Sequence, residues 1–185
     1  MNKITIGNDI FEVFLSEKEI LEKVKELGKQ LTLDYKDKIP VFIGILNGSF
    51  MFFSDLLKEF EGDCEVDFLK LSSYHEAKVS SGKVDLLKDI NATLTGREVI
   101  IVEDIVDSGL SVEFILKHLK RHEPKSVKIV SLLVKPRSIK YNISIDYSGF
   151  NIPDNFVIGY GLDLAQKFRN LKSVYKHIGI VEEGK

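Results

Sequence analysis

A single cysteine, Cys64, stands among 185 residues, so no internal disulfide can form and no site can be built on two thiolates. It reads as a small apolar packing residue. Long hydrophobic runs are missing too. Nothing approaches the ~20 apolar residues a membrane span needs, and the opening Met1-Asn2-Lys3-Ile4-Thr5 lacks the apolar core of an export signal. A cytoplasmic chain without membrane contact is the expectation. An excess of one charge is also absent: 26 Lys and Arg face 28 Asp and Glu, a formal net charge of −2. Bulk electrostatics therefore offer no attraction to nucleic acid. We find no internal repeat, low-complexity tract or linker, so a single domain over residues 1–185 is expected. With 44% hydrophobic and 29% charged residues the composition is that of an ordinary globule. The length suffices for a sheet covered by helices on both faces.

What is present is concentrated in Val99 to Ser111, Val-Ile-Ile-Val-Glu-Asp-Ile-Val-Asp-Ser-Gly-Leu-Ser. Four β-branched residues, Val99 to Val102, are too apolar for a half-exposed strand and read as a buried parallel one. Three carboxylates follow, Glu103, Asp104 and Asp107, then the small turn Ser108-Gly109-Leu110-Ser111. An amphipathic helix is expected beyond it, from about Val112 to Arg121. Acids and a Gly-containing loop thus lie between the carboxyl end of a buried strand and a helix start, where open α/β sheets bind ligands. Unpaired N–H groups at a helix start favour a phosphate, Gly109 lets the backbone fold around it, and Ser108 and Ser111 add hydroxyl donors. The carboxylates suit sugar hydroxyls, Mg²⁺ or a proton to be removed. The combination implies a phosphorylated sugar. A phosphoacceptor receiver domain also has acids after an apolar strand, but near its N-terminus; here they lie past the midpoint.

The remaining chain supplies the frame. Ile4 to Phe14 reads as an extended lead-in. Ser16 to Glu19 has the capping-box form and opens a helix with Ile20, Leu21, Val24, Leu27 and Leu31 on one stripe. Pro40 to Leu46 is a second buried strand; Asn47-Gly48-Ser49 turns it into a helix from Phe50 to Phe60. That is a second potential anion cradle, although Asn-Gly alone is a common turn. Cys64 to Leu71 reads as a strand with one polar face, and Ser72 to Lys83 as a polar loop. Val127 to Val134 is a further strand, stopped by Pro136, with Lys135 at its carboxyl end. His118 and His122 have the i, i+4 spacing that metal sites use. Leu119 follows His118, so the zinc-protease motif is absent, and without partner ligands in the sequence they read as solvated helix histidines.

The thirteen-residue stretch resembles the phosphoribosyl diphosphate (PRPP) motif of the type I phosphoribosyltransferases. Asn47-Gly48 resembles that family's pyrophosphate loop, with Asn47 where many members carry Lys. Ser73-Tyr74 resembles the start of its mobile lid. The segment from Ile152 to Asp163, with Phe168-Arg169-Asn170-Leu171, resembles the hypoxanthine-guanine branch of short bacterial type. The resemblance spans about Val41 to Leu171.

It implies an α/β fold, a mainly parallel sheet flanked by helices with a small hood from the N-terminal lead-in and C-terminal segments. It implies transfer of 5-phosphoribosyl from PRPP to N9 of hypoxanthine or guanine, giving IMP or GMP plus pyrophosphate, with Mg²⁺ required. On that resemblance Glu103 and Asp104 hold the ribose hydroxyls and Mg²⁺, and Asp163 holds Mg²⁺ through water. Asp107 acts on the purine N7 proton, and the 107–111 loop, with Leu110 where many members have Lys, takes the 5′-phosphate. Asn47, Gly48 and Arg169 meet pyrophosphate, while Lys135, Phe156 and Val157 meet the purine. A homodimer or homotetramer is implied as well. Two alternatives remain at this stage. An RNA-binding regulator on the same fold is disfavoured by the missing basic excess; an enzyme for adenine or orotate is disfavoured by Lys135 and the Phe156–Asp163 segment.

Overall fold

The computed structural model describes residues 2–73 and 84–181. The lead-in is a hairpin of β1 (Lys3–Ile6) and β2 (Asp9–Leu15), antiparallel with Ile4 opposite Phe11. Helix α1 (Glu17–Asp34) follows. Its capping box is present: Ser16 Oγ accepts from Glu19 N at 3.3 Å and Glu19 Oε2 accepts from Ser16 N at 2.9 Å. Ile20, Val24, Leu27 and Leu31 are buried as expected. Leu21 is not. One residue on from Ile20 it turns by about 100° around the helix, leaves the stripe and is 43% exposed.

The main sheet has the order β5-β4-β3-β6-β7-β8. Strands β3 (Val41–Leu46), β4 (Glu65–Ser73), β6 (Glu98–Val106), β7 (Ser126–Val134) and β8 (Tyr147–Asn151) run parallel. Only β5 (Val84–Lys88) is antiparallel. Helix α2 (Phe50–Lys58) ends two residues before the expected boundary. Helix α3 spans Leu110–Leu119, starting earlier than expected because Gly109 serves as N-cap, and Lys120–His122 continue it as a 3-10 turn. A second sheet, β1-β2-β10-β9, joins the hairpin to β9 (Val157–Ile158) and β10 (Val174–Ile180). This is the expected hood, built from both ends of the chain, and the fold class is borne out.

Period-two alternation in β6 distributes the core. Ile100 and Val102 face the larger cluster with α1 and α2, whereas Val99 and Ile101 face a second one with Val112, Ile115 and Leu119 of α3. Past the apolar run, Glu103 lines the α3 turn while the Asp104 carboxylate lies against Gly48.

Candidate active site

Three helices among the described residues begin in two different ways. Helix α1 closes its own N-terminus with the capping box, but α2 and α3 carry no side-chain cap bond. Phe50 N reaches back to Asn47 O at 3.4 Å and Leu110 N to Ser108 Oγ at 3.3 Å. The positive ends of both helix dipoles face the carboxyl edge of the parallel sheet, where an anion is favoured. The α3 turn encloses a cavity of about 100 Å³ lined by Glu103 and by Ile105 to Val112. Within it Gly109 has φ +85°, a conformation only glycine adopts freely, and Leu110 N donates to Ser108 Oγ at 3.3 Å. A larger cavity of about 740 Å³ lies at the opposite edge of the sheet, between Thr32–Ile39 and Glu61–Asp63. It contains none of the acids after β6.

The α2 turn is assembled from remote pieces. The Leu46–Asn47 peptide is cis. Asn47 is exposed, and Ser49 Oγ is drawn back to Ile45 O at 2.6 Å. A Cβ on Gly48 would collide with the Asp104 carboxylate, and one on Gly161 with the Gly48 carbonyl oxygen. Three segments, 46–49, 104 and 160–162, thus meet at van der Waals limits. Tyr160 OH donates to Asp55 Oδ2 of α2 at 2.8 Å, tying this part of the hood to the helix below the turn. Neither Asp55 nor Gly161 stands out in the sequence, because their role exists only when the hood lies on the main sheet. The Gly-Tyr-Gly run at 159–161 is the one local signal.

Asp107 and Lys135 sit side by side at the ends of β6 and β7. Lys135 Nζ donates to Asp107 Oδ2 at 2.7 Å; Lys135 is buried while Asp107 is exposed. The parallel β6–β7 register, with Val106 opposite Val134, makes this contact unavoidable. Beyond Lys135 the chain is pinned to the base of the Phe156 segment, since Ile152 N donates to Val134 O at 2.8 Å and Ser138 Oγ to Asp154 Oδ1 at 2.6 Å. Phe156 is 50% exposed, with its ring centroid 6.3 Å from that of Phe11 and the two rings tilted by 58°. Val157 is buried in β9, opposite Lys176.

The acidic pair is electrostatically costly in the free protein. Burial, reinforced by the Asp104 charge, pushes Glu103 well above the usual carboxylate range. Burial also raises Asp104 from 3.8 to about 6, against bonds from Ile105 N and its own N–H and the nearby Arg169 charge, with Asp163 adding to the rise. Two carboxylates that resist ionisation alone are suited to a hard cation. Asp163 is already engaged: Arg169 Nη2 lies 2.7 Å from its Oδ1, and Gln166 N donates to Oδ2 at 2.8 Å. Arg169 also donates to Gly161 O at 2.8 Å. Among the described residues Glu103, Asp104 and Asp163 do not close into one ligand cluster. Mg²⁺ bound through one or two carboxylates plus substrate oxygens fits that openness.

Of the lid pair, Ser73 ends β4, and Tyr74 lies outside the described residues with nearly all of the 72–83 loop. The reading of His118 and His122 needs correction. His118 Nε2 meets Asp89 Oδ1 at 2.7 Å and the two imidazoles pack edge to face at 5.4 Å, so neither is simply solvated. The partner comes from a loop 29 residues earlier, which spacing on the helix cannot reveal.

Such an edge, with a Gly-containing turn before each of two helices, one of them closely packed, and a donor beside an acceptor, has the chemistry that a transferase of activated phospho-sugars needs. The phosphoribosyl transferase domain matches residues 13–165. The hypoxanthine-guanine phosphoribosyltransferase of Bacillus subtilis is 45% identical over 175 residues, 95% of either chain. A crystal structure of a hypoxanthine-guanine phosphoribosyltransferase from Bacillus anthracis superposes with a TM-score of 0.86 at 43% identity, covering 90% of this chain and 98% of that one. The Trypanosoma cruzi hypoxanthine phosphoribosyltransferase in complex with the product IMP gives 0.81 at 36% identity, covering 89% and 92%. The chain belongs to the phosphoribosyltransferase family, in its hypoxanthine-guanine branch.

Proposed function

We propose that the protein transfers the 5-phosphoribosyl group of PRPP to N9 of hypoxanthine or guanine in purine salvage, with Mg²⁺, in the cytoplasm. The observation that carries this reading is the Lys135–Asp107 pair, an ammonium and a carboxylate 2.7 Å apart. A 6-oxopurine protonated at N7 presents the complementary pattern on one edge, an acceptor at O6 beside a donor at N7. Binding parts the ion pair and replaces it by two hydrogen bonds, Lys135 to O6 and N7–H to Asp107.

The chemistry follows from the same groups. The C1′–O bond of PRPP breaks with its electron pair leaving on pyrophosphate, through an oxocarbenium-like transition state, as N9 bonds to C1′. The N7 proton passes to Asp107. The Ser108–Ser111 turn and the start of α3 hold the 5′-phosphate; Asn47, Gly48 and Arg169 face the pyrophosphate. Phe156 stacks on the base, with the Val157 backbone at its Watson–Crick edge. Glu103 and Asp104 bind the ribose hydroxyls and, with Asp163 through water, would hold Mg²⁺, which when bound neutralises the diphosphate. Release of Arg169 from Asp163 makes both available at once.

Pyrophosphate release with PRPP, Mg²⁺ and a panel of bases tests the proposal. Hypoxanthine and guanine should turn over, with adenine disfavoured by as much as ~10⁴ in kcat/KM because its 6-amino group meets a donor. Lys135→Gln should narrow that gap, since an amide can turn its oxygen toward the amino group. Comparable use of adenine by the wild type, or an unchanged ratio in the variant, overturns the role of Lys135.

A further inference from the structure

We propose that Asp89, His118 and His122 form a binding site for a divalent first-row transition ion such as Zn²⁺ or Ni²⁺, separate from the active site. One carboxylate oxygen and one ring nitrogen from each histidine lie within 4.8 Å of one another. Metal–ligand bonds of about 2.0–2.2 Å put the donors on one ion roughly 3.5 Å apart, so small side-chain rotations close the set. In the metal-free protein the His118–Asp89 hydrogen bond already holds two of the three at 2.7 Å. The ion would take the place of the shared proton.

The backbone on both sides is fixed in advance. Asp67 Oδ2 accepts from Asn91 N at 2.5 Å and Ala92 N at 2.8 Å, and Lys88 Nζ donates to Asp67 Oδ1, Phe68 O and Asp89 O. Those bonds anchor the β5–β6 connection that carries Asp89. Thr95 Oγ1 donates to His122 O at 3.1 Å and Gly96 N to Glu123 O at 2.9 Å, anchoring the 3-10 turn to the same connection. The Phe114 ring lies parallel to His118, with centroids 6.3 Å apart. Lys117, one residue before His118, is turned to Glu113 at 3.0 Å, while Lys120 and Arg121 share the 3-10 turn with His122. Two imidazoles and one carboxylate favour Zn²⁺, Ni²⁺ or Cu²⁺ over Mg²⁺, which takes oxygen ligands. Helix α3 has ten residues, about 15 Å, and this site is at its C-terminal end while the phosphate cradle is at its N-terminal end. An ion here would clip the β5–β6 connection to the helix.

Calorimetric titration with Zn²⁺ in excess Mg²⁺, which occupies the carboxylates after β6, gives the test, followed by Co²⁺ absorption. One equivalent of Zn²⁺ should bind, with a raised Tm and Co²⁺ d–d bands altered from those of the hydrated ion. His118→Ala or His122→Ala should abolish all three signals and retain Mg²⁺-dependent turnover. His177→Ala, which removes a second His–Asp pair at 2.8 Å from Asp9, should leave them intact. The proposal is overturned if the wild type binds no Zn²⁺ under these conditions. It is equally overturned if the His118 and His122 variants bind it as the wild type does, or if His177→Ala alone removes the signal.

Discussion

The two turns at the carboxyl edge of the sheet share a sequence plan, apolar strand, Gly-containing turn, helix, yet they are built by opposite means. The turn before α3 is mainly local: Ser108 binds Leu110 N, Gly109 takes the positive φ, and the cavity is lined by Glu103 and residues 105–112. The 139–143 segment braces it, through Lys140 N to Ser108 O at 2.9 Å and through Ile143 beside Gly109. The turn before α2 is held from outside, with Gly48 between the Asp104 carboxylate and Gly161, and Gly161 set by a hood loop tied to Asp55 through Tyr160. A local turn can be recognised from its own residues. An assembled one can be recognised only with its partners in place, and its function is correspondingly exposed to changes elsewhere.

The largest effect should come from the local turn, at Asp107. A positioned general base contributes ~10²–10⁴-fold. Asp107→Asn should lower kcat by about that factor, with Tm and PRPP affinity nearly unchanged, because the carboxylate is exposed and an Asn Oδ1 can still accept from its partner Lys135. Single-turnover rates at saturating PRPP and hypoxanthine, beside a melting curve, make the check; wild-type kcat would remove Asp107 from proton transfer.

Next comes Gly48→Ala, which should act through Asp104. To admit the Cβ the carboxylate must swing away, losing its bond from Ile105 N at 3.0 Å. A displacement of about 1 Å at a substrate-positioning group can cost ~10²-fold, so kcat/KM for PRPP should fall on that order while KM for hypoxanthine changes little. Gly109→Ala makes the contrast. Its Cβ would meet the Ile143 side chain, which can yield, so the main cost is backbone strain at positive φ, roughly 1–2 kcal/mol of stability. Equal losses of PRPP specificity in both variants would erase the distinction between the turns.

The same distinction explains what could be read in the sequence. The buried strands, the capping box at Ser16 and the 103–111 loop follow from local pattern, the hood from the two chain ends followed from the family resemblance, and the structure has them. Parallel strands β6 and β7 also made the meeting of Asp107 and Lys135 foreseeable. Not foreseeable were β5, β8 and β10, short or half-exposed strands without strict alternation. Leu21 was misplaced because a five-residue stripe overstates the width of the buried face. The engagement of Arg169 with Asp163, the wedge at Gly48 and Gly161, and Asp89 beside His118 all join residues distant in sequence, and no periodicity records them.

A smaller effect, with the sign of a stability gain, is expected at Asp104. Its folded pKa of about 6 lies above its ordinary 3.8, and Glu103 is raised as well. The protonated forms are therefore favoured by folding: this contribution is complete below about pH 4 and is lost as pH rises through about 6. Asp104→Asn removes one of the charges. In the absence of PRPP and Mg²⁺ its Tm should exceed the wild type at pH 7.5, by about 2–4 °C for each kcal/mol relieved, and the two curves should converge near pH 4. Activity should be lost in the same variant. Parallel Tm–pH curves for the two proteins would show that Asp104 carries no buried charge.

The smallest effect concerns the charge missing from the assembled turn. Asn47 stands exposed where the resemblance expects Lys, and the positive end of the α2 dipole is left to attract the pyrophosphate without a side-chain cation from this position. Asn47→Lys adds one solvent-screened cation beside a polyanion. An exposed ion pair is worth ~0–1 kcal/mol, so pyrophosphate and PRPP should bind at most about fivefold more tightly, with kcat for hypoxanthine held or slightly lowered as product release slows. The gain should shrink as ionic strength rises from about 0.01 to 0.15 M, because the Debye length falls from ~30 to ~8 Å. Leu110→Lys makes the matching change in the local turn, and there the half-buried side chain borders the cavity of the α3 turn rather than an exposed loop. If Leu110→Lys tightens PRPP binding and Asn47→Lys does not, the cation is of use only where the protein already shields the phosphate. If both gains are equal and equally sensitive to salt, simple long-range attraction accounts for them, and the architecture of the two turns has no bearing on charge.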